Sequence, residues 1–167
     1  MPVLPILQYP DPRLHTVAWP VVRFDAELRA LIRDLADTMY AAPGIGLAAT
    51  QVDVHKRVLV ADVSDSRDQL MVLVNPAVVE AVGESELDEG CLSVPGVYER
   101  VPRFEHVVIR AQDAAGESRH LAAKGLLSVC LQHEIDHLEG RVFVDYLSRL
   151  KQTRLAAKLQ KQQRRPR

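Results

Sequence analysis

The segment after Gly125 restricts the possible folds of this chain more than any other. Leu126, Leu127, Val129, Cys130, Leu131, Ile135 and Leu138 follow it and are apolar on nearly every side of a helix. A helix of that kind belongs inside a core, and Gly140 is placed to end it. Yet it carries His133-Glu134-Ile135-Asp136-His137. Burying two imidazoles and two carboxylates costs free energy unless they are paired or bound to a metal. The plain alternative is a polar helix face turned to solvent, and the apolar surroundings argue against it. Residues four apart lie about 40° apart around a helix, so both imidazoles leave one face. H-E-x-x-H therefore supplies two ligands of a three-ligand catalytic metal site, with Glu134 beside them to take a proton from the attacking water.

The third ligand separates the classes of such sites. The metzincin pattern needs a histidine at position 143, which is Phe143. A thermolysin-like site needs a carboxylate on a later helix, but the acids after His137 are Glu139 and Asp145, both too close. The ligand must lie upstream, among Cys91, Cys130, His15, His55, His106 and His120. Cys130 shares the helical face but sits about 10 Å along the axis from His137. Its short side chain cannot bridge that span, so it reads as packed core. Cys91 follows Gly90 in Glu89-Gly90-Cys91-Leu92-Ser93, a tight segment that lets a thiolate approach an ion. That favours Cys91, with the histidines still open.

The rest of the chain reads as one α+β domain. Residues 1–22 are proline-rich and extended. Leu28, Leu31, Ile32, Leu35 and Met39 recur at helical spacing after Asp25, a candidate N-cap, and Pro43-Gly44 ends that helix near Ala42. Strand-like runs follow at 57–63, 70–74, 77–82, 97–101 and 106–111, with a turn at 113–116. The expectation is mixed or antiparallel small sheets around one buried metal-binding helix, with an N-terminal and a C-terminal helix.

Charge divides the chain further. Residues 149–167 hold eight bases and no acid, leaving 13 bases against all 22 acids in residues 1–148. The reading is a catalytic domain over 1–148 and a basic C-terminal helical extension over 149–167 that meets something anionic. The extension is expected to run as an amphipathic helix over 147–163, with Leu150, Leu155, Ala156 and Leu159 on its apolar side. No run approaches the ~18 apolar residues of a membrane span. The four prolines among the first twelve residues do not suit a secretory signal. Two cysteines make no disulfide scaffold. A cytoplasmic protein is expected, with neither membrane nor DNA as partner.

Three segments together resemble the peptide deformylase family: Gly44-Ile45-Gly46-Leu47-Ala48-Ala49-Thr50-Gln51, Glu89-Gly90-Cys91-Leu92-Ser93, and Gln132-His133-Glu134-Ile135-Asp136-His137-Leu138-Glu139-Gly140. The resemblance implies Cys91, His133 and His137 as ligands of one divalent metal. Fe2+ is expected, with Zn2+, Ni2+ or Co2+ able to replace it. It implies removal of the N-formyl group from the initiator methionine of new polypeptides, releasing formate. Glu134 would move the proton, and the Gln51 side-chain amide and the Leu92 backbone N–H would donate to the developing oxyanion. The backbone of Gly44, Ile45 and Gly46 would pair with the substrate as an added strand. Glu89 and Gly90 are expected on the substrate side. Leu87, Leu126, Val129 and Cys130 are candidates for an apolar pocket holding the methionine side chain.

The chain departs from the family at one place. Many members carry arginine seven residues after the cysteine, where this chain has Tyr98. An altered preference at later substrate positions is expected. Relatives with a similar C-terminal extension use it to sit on the ribosome near the tunnel exit, which implies the same partner for 149–167. The competing readings are a general H-E-x-x-H metallopeptidase and a non-enzymatic ribosome-binding protein acting through the basic tail.

Overall fold

The computed structural model describes residues 3–164. Its centre is a five-stranded antiparallel sheet in the order β1-β2-β3-β6-β7, formed by Gly46–Ala48, Val58–Ala61, Met71–Val82, His106–Gln112 and Ser118–Lys124. A two-stranded antiparallel sheet pairs β4 (Asp88–Cys91) with β5 (Val94–Arg100). Helix α1 spans Ala26–Ala41, α2 spans Gly125–Leu138 and α3 spans Arg149–Arg164.

The sheet is covered on both faces at its β1–β2 side, and β2 shows why. Its four residues are all fully buried. Val58 and Val60 join Leu28, Ile32, Leu35 and Met39 of α1, while Leu59 and Ala61 join Leu131, Ile135 and Leu138 of α2. Successive side chains point to opposite faces of a strand, so an uninterrupted apolar run fits between two helices. Asp25 caps α1 as expected, its Oδ1 accepting from Leu28 N at 3.0 Å. Gly140 ends α2 with φ +78°, the left-handed geometry that favours glycine.

The strand expectations need correction in three places. Residues 70–74 and 77–82 form one strand, β3, not two. Asn75, at φ +52°, makes a bulge that places Pro76 where the pairing register shifts, so its missing N–H interrupts no ladder bond. The Asn75 side chain is held on both sides, accepting from Val21 N at 2.8 Å and donating to Gln112 Oε1 at 2.8 Å. The run expected at 97–101 is the second half of β5, which ends at Arg100. Strands β1, β4 and β7 carry no apolar alternation of their own and owe their state to their partners.

A third core lies at the C-terminal end. Tyr9, Leu14, Val94, Val97, Phe143 and Leu159 pack together, with Leu155 and Ala156 partly buried against them. The C-terminal helix thus starts at Arg149 and lies on the body. Leu150, expected on its apolar side, is 60% exposed. Five residues at about 100° each carry Leu155 roughly 140° round from it, off the stripe that Leu155, Ala156 and Leu159 share.

Candidate metal centre and substrate cleft

Residues from two elements converge at one end of α2. His133 and His137 leave its buried face, and Cys91 ends β4. Their donor atoms all lie within 4.8 Å of one another. Nε2 of His137 is 3.2 Å from Nε2 of His133 and 3.4 Å from Sγ of Cys91. Tetrahedral ligands at ~2.0–2.3 Å from an ion stand about 3.3–3.8 Å apart, so the spacing fits a single first-row metal. The carboxylate of Glu89 accepts from Nδ1 of His133 at 2.8 Å, which fixes the tautomer and leaves Nε2 free to bind. Burial holds the His137 imidazole well below its ordinary pKa, whereas Cys91, Glu134 and Glu89 around His133 outweigh burial and hold that imidazole well above its own.

Glu134 stands next to these donors and is 4% exposed. Burial pushes its carboxyl up to about 7. Its Oε1 finds no hydrogen-bond partner among the described residues. A buried carboxylate oxygen left free beside three metal donors is placed to hold a water proton.

The donors open onto a cleft of about 740 Å³. Gly44, Ile45, Gly46, Gln51, Gly90, Cys91, Leu92, Tyr98, His133 and Glu134 all line it, so most of the expected site comes together there. Gln51 sits in the 3-10 turn Ala49–Val52 and is 1% exposed. Its Oε1 accepts from Ala48 N at 2.9 Å, which turns Nε2 toward Ser93 Oγ at 3.1 Å and Cys91 Sγ at 3.6 Å. The proline-rich opening secures both loops, Leu7 N donating to Gln51 O at 2.7 Å and Tyr9 N to Ser93 O at 2.8 Å. A Cβ at Gly46 would lie 2.5 Å from Glu134 Oε2 and 2.9 Å from Cys130 Sγ. One at Gly90 would lie 2.6 Å from the Tyr98 ring. Both glycines are required by close approach.

Other expected site residues lie elsewhere. Glu89 is not on the substrate side; it is buried behind His133, where Arg103 grips it at 2.7 and 2.9 Å. Leu87, Leu126, Val129 and Cys130 do not line the cleft. Leu87 lies just before β4 and Leu126 in the first turn of α2, and both are exposed, while Val129 is packed in the core. Cys130 lies behind the cleft wall, its thiol donating to Ile45 O at 3.5 Å. His15 and His55 pair with Asp145 and Asp53, and His106 and His120 are exposed on β6 and β7, all outside the donor cluster. Sequence reasoning missed Ser93, Arg103 and Tyr146. Arg103 stands alone between β5 and β6, and nothing local marks it.

Two imidazoles and a thiolate beside a buried carboxylate that opens on a cleft make an arrangement suited to activating water, as metal-dependent hydrolases do. Comparison with known proteins narrows this class. A family model described as polypeptide deformylase matches residues 3–153. A peptide deformylase of Hahella chejuensis is 60% identical over 163 residues, covering 97% of each chain. Peptide deformylase 2 of Nitrosomonas europaea is 56% identical over 165 residues, covering 99% of this chain and 89% of that one. The crystal structure of a peptide deformylase from Legionella pneumophila matches with a TM-score of 0.92 and 47% identity over 99% of this chain and 100% of that one. The peptide deformylase from Ehrlichia chaffeensis in complex with actinonin matches at 0.94 and 39%, over 99% and 100%. The chain belongs to the polypeptide deformylase family.

Proposed function

We propose that this chain hydrolyses the N-formyl group of the terminal formylmethionine of new polypeptides and releases formate. The convergence of Cys91, His133 and His137 on one point, with a free oxygen of Glu134 on the same cleft, supports this most directly. Cys91, His133 and His137 would hold a divalent ion, which would supply Lewis acidity and lower the pKa of the attacking water toward neutrality. Glu134 takes the water proton and delivers it to the departing amine. Nε2 of Gln51 and the N–H of Leu92 donate to the oxygen on which charge develops. Removing one such donor costs ~2.7–4 kcal/mol in other acyl-transfer enzymes. Backbone at Gly44–Gly46 lies along the cleft and offers main-chain pairing, which gives affinity without reading side chains.

We infer Fe2+ as the working ion, since the donor set suits iron, zinc, cobalt or nickel and the resemblance points to iron. The described bases of α3 are all exposed, which supports docking on ribosomal RNA near the tunnel exit. Arg165 and Arg167, counted in that arm, lie outside the described residues. No helix among the described residues is long and apolar enough to cross a membrane; work on nascent chains is what supports a cytoplasmic location. The test is formate release from formyl-Met-Ala-Ser against the unformylated peptide, with metal analysis of anaerobically purified protein. Formate from the first and no cleavage of the second are expected. Peptide-bond cleavage without formate would overturn the reading.

A further inference from the structure

One buried charge near the metal donors has no part in the chemistry above. Arg103 joins β5 to β6 and is 7% exposed. Its Nε and Nη2 donate to the two oxygens of Glu89 at 2.7 and 2.9 Å, and its Nη1 donates to Asp136 Oδ2 at 2.5 Å. The guanidinium carbon lies 5.1 Å from the centre of the Tyr146 ring, and the Tyr146 hydroxyl donates to the same Asp136 oxygen at 2.8 Å. Glu89 in turn accepts from Nδ1 of His133 at 2.8 Å. A continuous set of bonds therefore runs from Tyr146 through Asp136, Arg103 and Glu89 to a candidate ligand ring.

Stability alone is a poor reason for this cluster. Burying one guanidinium and two carboxylates carries a large desolvation cost, and apolar groups of equal volume often hold a core as well. What charges supply and apolar groups cannot is a fixed direction. A guanidinium fork binds both carboxylate oxygens in one plane, which stops Glu89 from rotating. A fixed Glu89 holds the His133 ring with Nε2 toward Cys91 and His137, and the cluster's net negative charge makes that nitrogen a stronger donor. Tyr146 ends the 3-10 turn Phe143–Tyr146, three residues before α3 begins, so the same bonds reach the root of the basic helix.

We propose that Arg103 and Tyr146 are positioning residues for the metal centre. They fix Glu89, and through it the His133 ring, and tie that ring to the root of the C-terminal helix. The inference rests on the metal-centre reading. It is tested on the full chain with Co2+ as the probe, measuring its dissociation constant against a chelator and its visible absorption spectrum, beside kcat and KM for formyl-Met-Ala-Ser. Arg103→Lys keeps the charge but loses the fork. Co2+ binding weakened by ~10–100-fold, an altered spectrum, and a fall in kcat at near-constant KM are expected. Tyr146→Phe keeps the ring beneath Arg103 and removes only the hydroxyl, so a smaller shift in the same direction is expected. It also carries the test if Arg103→Lys does not fold. The double variant should lose less than the sum of the two. Wild-type Co2+ affinity and spectrum in both variants would overturn the inference, even with a lowered melting temperature, because the cluster would then be a structural clamp. A wild-type chain that takes up no Co2+ would overturn the metal-centre reading as well.

Discussion

Helices α2 and α3 are of similar length, 14 and 16 residues, and both are rich in polar groups, yet they use them in opposite ways. In α2 nearly all polar side chains are buried, and most are partnered, with Glu134 Oε1 and His137 Nδ1 left free among the described residues. Gln132 alone bonds Phe104 through both its N–H and its carbonyl and reaches back to Ser128. In α3 Leu159 is the one buried residue among those described, and the bases face water. Charges in the first setting act over ångströms in a low dielectric. Those in the second act over a Debye length of ~8–10 Å and fade with salt. The helix that holds the chemistry should thus be intolerant of single changes and indifferent to salt, and the basic helix should be the reverse.

The largest effect is expected at Glu134. Glu134→Ala should lower kcat by ~10²–10⁴ while leaving metal content unchanged, since general acid–base catalysis contributes about that much. Turnover near wild type would place the base elsewhere. Gly46→Ala comes next. Its new methyl would press on Glu134 Oε2 and Cys130 Sγ, both buried. Displacing a reacting group by about 1 Å can cost ~10²-fold, so kcat/KM should fall to that extent with the metal retained. A fully active Gly46→Ala would mean that Glu134 does not work from this position.

The same contrast decides what could be read in advance. H-E-x-x-H is legible because helix geometry fixes it within five residues. Cys91 comes from a different element 42 positions before His133, so spacing favoured it without excluding the histidines, and the family resemblance singled it out. Glu89 was legible as a site residue but not in its role, because Arg103 and His133 reach it only through tertiary packing. Asn75 shows the same limit in the fold. Asn-Pro marks a turn locally, yet bonds to Val21 and Gln112 make it a bulge inside one strand.

Smaller effects are expected toward α3. Leu159 is 2% exposed in the third core, and Leu159→Ala should cost about 2 kcal/mol in an unfolding titration, the low end for a buried leucine. Turnover at 25 °C should hold. If activity falls while stability does not, α3 is coupled to the cleft more directly than its packing implies. Tyr98 lies at the cleft with its ring against Gly90 and is 73% exposed. Tyr98→Arg should therefore change relative kcat/KM severalfold across a formyl-methionyl series varied at later residues, without lost chemistry. Uniform values across the series would remove Tyr98 from substrate selection.

The least effect on the enzyme, and the sharpest on its partner, is expected from the bases themselves. Deleting α3 confounds two causes, because Leu155, Ala156 and Leu159 leave together with the charge. Changing Arg154, Lys158, Lys161 and Arg164 to glutamine separates them. All four are exposed, and none forms an ion pair among the described residues, so folding stability should move by less than ~0.5 kcal/mol. Turnover of free formyl peptides should not change. On ribosomes, each lost phosphate contact lowers the slope of log affinity against log salt by ~0.7–0.9, so four lost contacts lower it by about 3. A plot of ribosome affinity from low to moderate salt therefore distinguishes the possibilities. An unchanged slope would place the ribosome contact elsewhere on the protein, and a lost slope with intact catalysis would confirm that docking and chemistry are carried by separate helices.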